Sequence, residues 1–158
     1  MWNNNLHLFL FVFYSGKCIP YFTAVNVAFH ANVNGHVGLN DNEMIRFDQV
    51  LTNLGSAYDD KIGMFQCPTP GYYVFFVNFL VFAQKRLEAM IVKNGNRIQH
   101  VYAGTSDVGD GPGSNMVIVQ LQQGDRVWVK VHDKYHHTGD LLDGPWCTFN
   151  GFLLYLED

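Results

Sequence analysis

The sequence has few charged residues, and its basic residues are scattered along the chain. Only 15% of the 158 residues are Asp, Glu, Lys or Arg, and the formal net charge is −4. Nucleic-acid-binding domains usually carry a concentrated basic stretch, so the sequence argues against a nucleic-acid partner. By contrast, 48% of the residues are hydrophobic. This excludes a disordered chain and predicts one domain with a substantial core.

Cysteine is also scarce: the chain has only Cys18, Cys67 and Cys147. No two of them form a Cys-x-x-Cys pair, which argues against a zinc ribbon and a dense disulfide scaffold. The sequence has no Gly-X-Y repeat either, so it contains no collagen-like segment.

The N-terminal apolar run, Leu6–Tyr14, has nine residues and is too short to span a bilayer, which takes about 20. Its length, and the Ser15 and Gly16 that follow it, are typical of a signal peptide, although no Lys or Arg precedes it. We predict a signal over residues 1–16, a short segment over 17–23 and an extracellular mature protein without a membrane span. The alternative is a degraded or misassigned chain start.

Helical periodicity is missing after residue 24, and short alternating segments occur between turn residues. Apolar residues alternate with polar ones over 86–91, before an Asn-Gly turn at 94–95, and again over 126–132. Further strands are expected over 116–121 and 149–156. The pattern predicts an all-β sandwich over residues 24–158.

One predicted strand, Gly71–Ala83, is apolar on both faces. One face carries Tyr73, Phe75, Val77, Phe79 and Val81, and the other carries Tyr72, Val74, Phe76, Leu80 and Phe82. A strand of an antiparallel sandwich normally buries one face and exposes the other. We therefore predict that the second face is a subunit interface; the alternative is a cover provided by a loop of the same chain.

A spaced aromatic pattern surrounds this strand: Phe47, Asn53, Tyr58, Phe65, Gly71, Tyr73 and Phe75. It resembles the signature of the C1q-type globular domain, with Val77 where the signature has an aromatic residue. Four blocks resemble family segments in the same order: Phe47–Asp59, Cys67–Tyr73, Gln120–Val131 and Thr148–Tyr155. The resemblance covers residues 24–156.

The resemblance implies a jelly roll of about ten strands, similar to the tumour-necrosis-factor fold, that assembles as a homotrimer. It also implies binding instead of catalysis. Without a collagen stalk, the chain is similar to head-only members such as cerebellin-like and invertebrate proteins. We predict lectin-like pattern recognition of microbial or glycan ligands in innate immunity. The alternative is a cytokine-like trimeric ligand for a cell-surface receptor.

No catalytic motif is found in the sequence. It lacks a Gly-x-Ser-x-Gly nucleophile turn, and the His and Asp residues over 132–137 match no zinc-ligand spacing. We predict that the protein is not an enzyme and has no cofactor other than calcium.

The calcium prediction rests on Asp107 and Asp110, which lie between glycines in the loop Thr105–Asn115. Calcium prefers carboxylate and carbonyl oxygens supplied by flexible loops. Some C1q-type trimers hold calcium near the axis with acids of the corresponding loop. The alternative is an ordinary Asp/Gly turn.

The predicted ligand-binding residues are Tyr135, His136, His137, Asp140 and Trp146. Aromatic rings beside hydrogen-bonding groups suit sugars, because a ring covers the apolar side of a pyranose. The alternative is a solvated loop that Trp146 anchors.

Two interpretations of Cys67 remain open. Collagen-stemmed family members pair a cysteine there with one on the next strand, which here contains none. Cys67 is therefore a buried free thiol, which we favour, or it is paired with Cys147. Cys18 is a candidate link between chains.

Overall fold

The computed structural model describes the backbone of residues 10–14, 17–21, 26–104, 108–136 and 140–157, and the side chains of 26–104, 108–132 and 141–157. The strands are β1 Leu10–Tyr14, β2 Lys17–Tyr21, β3 Ala28–Asn32, β4 His36–Gly38, β5 Gln49–Leu54, β6 Tyr58–Asp59, β7 Met64–Gln66, β8 Gly71–Val81, β9 Arg86–Lys93, β10 Asn96–Gly104, β11 Gly111–Leu121, β12 Arg126–His136, β13 Asp140–Asp143 and β14 Thr148–Leu156. A short 3-10 helix, Gly144–Trp146, lies between β13 and β14.

Twelve of these strands form two antiparallel sheets. The seven-stranded sheet has the order β4-β13-β8-β14-β3-β5, with β11 also paired to β8, and the five-stranded sheet has the order β10-β9-β12-β7-β6. The predicted all-β jelly roll is confirmed. The two sheets contain twelve strands, whereas about ten were expected. The difference arises because three short segments of two or three residues, β4, β6 and β7, count as separate strands.

The core between the sheets is aromatic and is centred on β8 and β14. The ring of Phe29 stacks on Tyr58 at 4.5 Å, and Phe75 stacks on Phe149 at 5.9 Å. The Tyr58 hydroxyl donates a hydrogen bond to the Phe47 carbonyl at 3.0 Å, and burial raises the pKa of Tyr58. These contacts explain the spacing of the pattern, since its five aromatic residues meet in one cluster. Val77, which replaces an aromatic residue, is fully buried there.

The predicted Asn-Gly turn joins β9 to β10. Asn94 and Gly95 both have positive φ angles, 51° and 87°, as a two-residue type I′ turn requires. The turn that joins β11 to β12, at residues 122–125, packs beside it. The Asp125 carboxylate accepts a hydrogen bond from the Asn94 side chain at 2.7 Å and pairs with Lys93 at 2.9 Å. The two turns therefore fix each other at one end of the five-stranded sheet.

Cys67 and Cys147 are both buried free thiols, as favoured from the sequence. Cys147 Sγ accepts a hydrogen bond from the Leu80 N–H near the end of β8, whereas Cys67 lies just before Gly71 at its beginning. Nine residues of extended strand, about 30 Å, separate those two positions on β8. The pairing of Cys67 with Cys147 is therefore wrong.

The N-terminal region contributes the hairpin of β1 and β2. Part of the predicted signal segment, Leu10–Tyr14, is thus paired with Lys17–Tyr21, and residues 1–9 lie outside the described part of the chain. The signal peptide stays a prediction. None of the described residues forms a long apolar helix of the kind that crosses a bilayer.

Candidate ligand-binding and subunit-contact surfaces

The outward face of the seven-stranded sheet carries an apolar strip, consisting of Tyr72, Val74, Phe76, Met116, Ile118, Phe152 and Tyr155. Strand pairing places these side chains in rows across β11, β8 and β14. Ile118 and Phe152 lie on either side of Val74, and Met116 lies beside Phe76. The Tyr72 and Tyr155 rings lie 5.5 Å apart. The second apolar face of β8 is therefore continued on both neighbouring strands.

The apolar strip is partly open to solvent. Tyr72 and Phe76 are each 36% exposed, and Ile118 is 54% exposed. Val74 also faces outward, yet it is only 7% exposed and lies outside the core cluster. Ile118 and Phe152 cover Val74 from the two sides. The side chains of the strip thus pack against one another, but no other part of the described chain covers Tyr72, Phe76 or Ile118 fully.

The far end of the predicted interface, Leu80 and Phe82, is half-buried. The ring of Phe82 meets His36 of β4 edge-on at 4.9 Å. This part of the face is thus covered in part by the same chain, which was the alternative interpretation. For Tyr72 and Phe76, the structure leaves the face open.

Sequence reasoning missed the contribution of β11 and β14 to the apolar strip. Met116 and Ile118 alternate with Val117 and Val119, which face the core half-buried. The sequence could have indicated this contribution for β11, because residues 116–119 are apolar on both faces of the strand, as those of β8 are.

A polar patch borders the apolar strip. The Asn32 side-chain N–H donates to the Pro145 carbonyl, which makes the Asn32 side-chain oxygen the acceptor for His30 Nε2 at 3.0 Å. Asn78 and Asn150 both donate to the Thr148 hydroxyl. These hydrogen bonds satisfy the polar side chains. The apolar strip therefore ends at Phe76, beside Asn150.

The predicted ligand-binding residues fall on two different sheets. Tyr135 and His136 end β12, where His136 pairs with Leu87 of the five-stranded sheet. Asp140 begins β13 in the seven-stranded sheet, opposite Gly38. The side chains of these three residues, and all of His137, lie outside the described part. Trp146 is 67% exposed, and its neighbour Pro145 is bonded to Asn32 on β3. Trp146 is thus an exposed residue rather than a buried loop anchor.

The predicted calcium loop is described only from Val108 onward, so Asp107 lies outside the described residues. The second half of that prediction is wrong, because Gly111–Asn115 is the first part of β11 and pairs with β8. Asp110 accepts a hydrogen bond from the Ala83 N–H at 3.0 Å and thereby holds the loop against the end of β8. Within the described ranges, no three His, Cys, Asp or Glu side chains are arranged to hold a metal ion. Calcium binding stays a prediction.

Comparison with known proteins identifies the architecture. Residues 28–154 match the model of the C1q domain family. The chain belongs to this family. Caprin-2 of Danio rerio is 36% identical to it over 140 residues, which cover 85% of this chain and 15% of Caprin-2. The C1q domain described here therefore matches only a small part of that relative.

Solved structures share the fold of this C1q domain. The globular domain of zebrafish complement 1qA superimposes with a TM-score of 0.69 at 22% identity, covering 83% of this chain and 99% of that one. Eiger TNF from S. frugiperda gives 0.67 at 11% identity, covering 84% and 95%, and murine APRIL gives 0.63 at 15%, covering 81% and 98%. Domains of the C1q and tumour-necrosis-factor type form trimers and are typically ligand-binding modules.

The C1q domain also has a surface concavity of about 380 Å³ beside the segment 33–48. Its floor is formed by Val33, Leu39 and Ile45, and the paired side chains of Arg46 and Asp48, 3.5 Å apart, lie at its rim. Glu43 also lines the concavity, so its charged residues are one cation and two acids, and the lining is not complementary to an anionic ligand.

Proposed function

We propose that this C1q domain is a secreted homotrimer that recognises microbial or glycan ligands in innate immunity. The observation that carries the proposal is the exposed apolar strip. Exposed apolar patches of this kind mark protein interaction sites. Because domains of this family form trimers, a second copy of the chain is the simplest partner to bury the apolar strip.

A trimer provides the multivalency that glycan recognition needs. A shallow site buries little of a sugar, so a single copy binds weakly. Three copies on a rigid body convert weak sites into useful avidity, by about a hundredfold or more where the spacing matches a repeating surface. A trimer of this domain can therefore bind a repeating surface through several weak sites at once.

The ligand residues we propose are Tyr135, His136, His137, Asp140 and Trp146. The exposed indole of Trp146 supports a stacking role, since an exposed ring can cover the apolar side of a pyranose. Of these residues, Tyr135 and His136 lie on β12, Asp140 on β13 and Trp146 on the 3-10 helix, so a ligand that contacts these four would bridge the two sheets.

We also propose that calcium binds at the trimer axis through Asp107 and Asp110. Carboxylates brought together from three chains repel one another unless a cation lies between them. The bond from Ala83 to Asp110 supports the proposal by fixing this loop to β8.

Binding of the purified protein to an array of glycans and bacterial polysaccharides tests the recognition function. We expect specific signals that Tyr135→Ala removes without changing the melting temperature. Tyr102→Ala is the matched control, because Tyr102 is 57% exposed on β10 and lies outside the proposed ligand residues. A silent array together with tight binding to host cells would instead favour the receptor-ligand function.

A further inference from the structure

The outward face of the five-stranded sheet differs from an ordinary solvated face. Met90 and Val92 of β9 point away from the core, yet they are only 7% and 0% exposed and are not members of the core cluster. Side chains of the flanking strands β10 and β12 cover them: Val92 lies between Arg97 and Trp128 in the strand pairing. Long side chains from β10 and β12 therefore cover the centre of the outward face of the five-stranded sheet.

Three of those long side chains are cationic, and two more are histidines. We define the basic face as Arg97, His100, Arg126, Trp128, Lys130 and His132. Met90 lies between His100 and Lys130 in the pairing, and the rings of His100 and His132 are 6.0 Å apart. Side chains on β10 and β12 are two strand spacings, about 10 Å, apart. The face therefore places three positive charges and two imidazoles around the buried Met90 and Val92 and beside the Trp128 indole.

Much of this charge is not compensated by neighbouring acids. Within residues 26–104, 108–132 and 141–157, no carboxylate pairs with Arg97 or Arg126, and Lys130 Nζ bonds to the neutral side-chain oxygen of Asn42 at 3.3 Å. Glu88 lies 4.0 Å from His132, at one corner of the face. In a protein of net charge −4, three of the ten Lys and Arg residues thus lie together on one surface.

We propose that the basic face binds an anionic polysaccharide. Guanidinium groups donate paired hydrogen bonds to sulfate and carboxylate groups, and an indole packs against a pyranose ring. Nucleic acid fits less well, because its binding commonly depends on six or more phosphate contacts and on a more strongly basic surface. The proposal goes beyond the recognition function above, since it uses another surface and does not require Tyr135 or trimerisation.

Binding of the full chain to dextran sulfate, with uncharged dextran as the reference polymer, tests the proposal. We expect binding to dextran sulfate alone, and weaker binding as salt rises, because exposed charges are screened beyond about 8 Å at 0.15 M ionic strength. The variant Arg97→Gln/Arg126→Gln should raise the Kd about tenfold, as expected for the loss of two exposed ionic contacts. Its melting temperature should be unchanged, since both side chains are exposed.

The control variant Arg46→Gln/Lys61→Gln removes two positive charges outside the basic face, and should leave the Kd unchanged. Equal weakening by the two double variants would overturn the proposal, and so would equal binding of dextran and dextran sulfate. Tighter binding of single-stranded oligothymidylate than of dextran sulfate at the same salt would assign the face to nucleic acid instead. If the double variant does not fold, Lys130→Gln replaces it, with a smaller expected rise in Kd. Tyr135→Ala should bind dextran sulfate normally even if the glycan array is silent.

Discussion

Gly151 of β14 lies between the rings of Phe29 and Phe75 in the core. A Cβ atom added there would lie 2.5 Å from Phe29 and 2.7 Å from Phe75, closer than real side chains approach. Because a packed core accommodates extra volume only by strain, Gly151→Ala should lower the free energy of unfolding by about 1–3 kcal/mol. Urea unfolding measures the change.

The matched control for this prediction is Gly109→Ala. No atom lies within 4 Å of the position its Cβ would take, so stability should change by less than about 0.5 kcal/mol. Equal effects of the two substitutions would show that chain flexibility, and not core packing, sets the cost.

Asp125 ties the turn between β9 and β10 to the turn that joins β11 to β12. The Gln122 N–H, followed by the side chains of Asn94 and Lys93, holds the pKa of Asp125 below its ordinary value of 3.8. A lowered pKa means that the carboxylate stabilises the fold above about pH 3.8, and that this contribution is lost as the pH falls through the folded-state pKa.

We expect Asp125→Ala to cost about 1 kcal/mol at pH 7, the amount typical of hydrogen bonds to a charged group near the surface. The difference from the wild type should begin to shrink below pH 3.8. Urea unfolding at pH 7, 5 and 3 measures it, and a difference that stays constant to pH 3 would contradict this role of the carboxylate.

The loop before β11 is the element on which the calcium proposal is tested. Calcium should raise the melting temperature, because a ligand that binds only the folded state stabilises it. Asp107→Asn/Asp110→Asn should abolish the rise. Asn keeps a side-chain oxygen that can accept the Ala83 N–H, so the melting temperature in chelator should barely change.

A second pair of acids provides the control for calcium binding. Asp59→Asn/Asp60→Asn removes the same charge from the turn between β6 and β7, and the calcium response should persist. Identical melting temperatures of the wild type in calcium and in chelator would leave the segment between β10 and β11 as a simple turn.

At the scale of the whole molecule, the apolar strip predicts a stable trimer. Phe76→Glu should dissociate it, since an unpaired carboxylate is costly to bury in a subunit contact. Sedimentation or light scattering at micromolar concentration measures the assembly. Ile62→Glu is the control, because Ile62 is likewise an exposed apolar residue but lies in the turn between β6 and β7. A stable wild-type monomer would refute the trimer.

Local patterns in the sequence determined much of the architecture. Alternation over Arg86–Ile91 indicated a strand, and the positive φ angles that Asn94 and Gly95 adopt readily indicated its turn. The spaced aromatic residues indicated the family and its core: Tyr73 and Phe75 are buried by the alternation of β8, and Phe47 is buried from the segment just before β5. These features depend on neighbours within a few positions, so one sequence suffices to recognise them.

The tertiary structure decided which strands lie beside one another, and therefore which residues form a surface. Arg97 and Arg126 are 29 positions apart and scattered among acids in the sequence, yet β10 and β12 bring them to one face through β9. The same pairing adds Phe152 to the apolar strip, covers Phe82 with His36, and places His136 and Asp140 in different sheets. Alternation sets the face on which a side chain lies, but long-range pairing sets its neighbours, because strand order is fixed by contacts between distant segments.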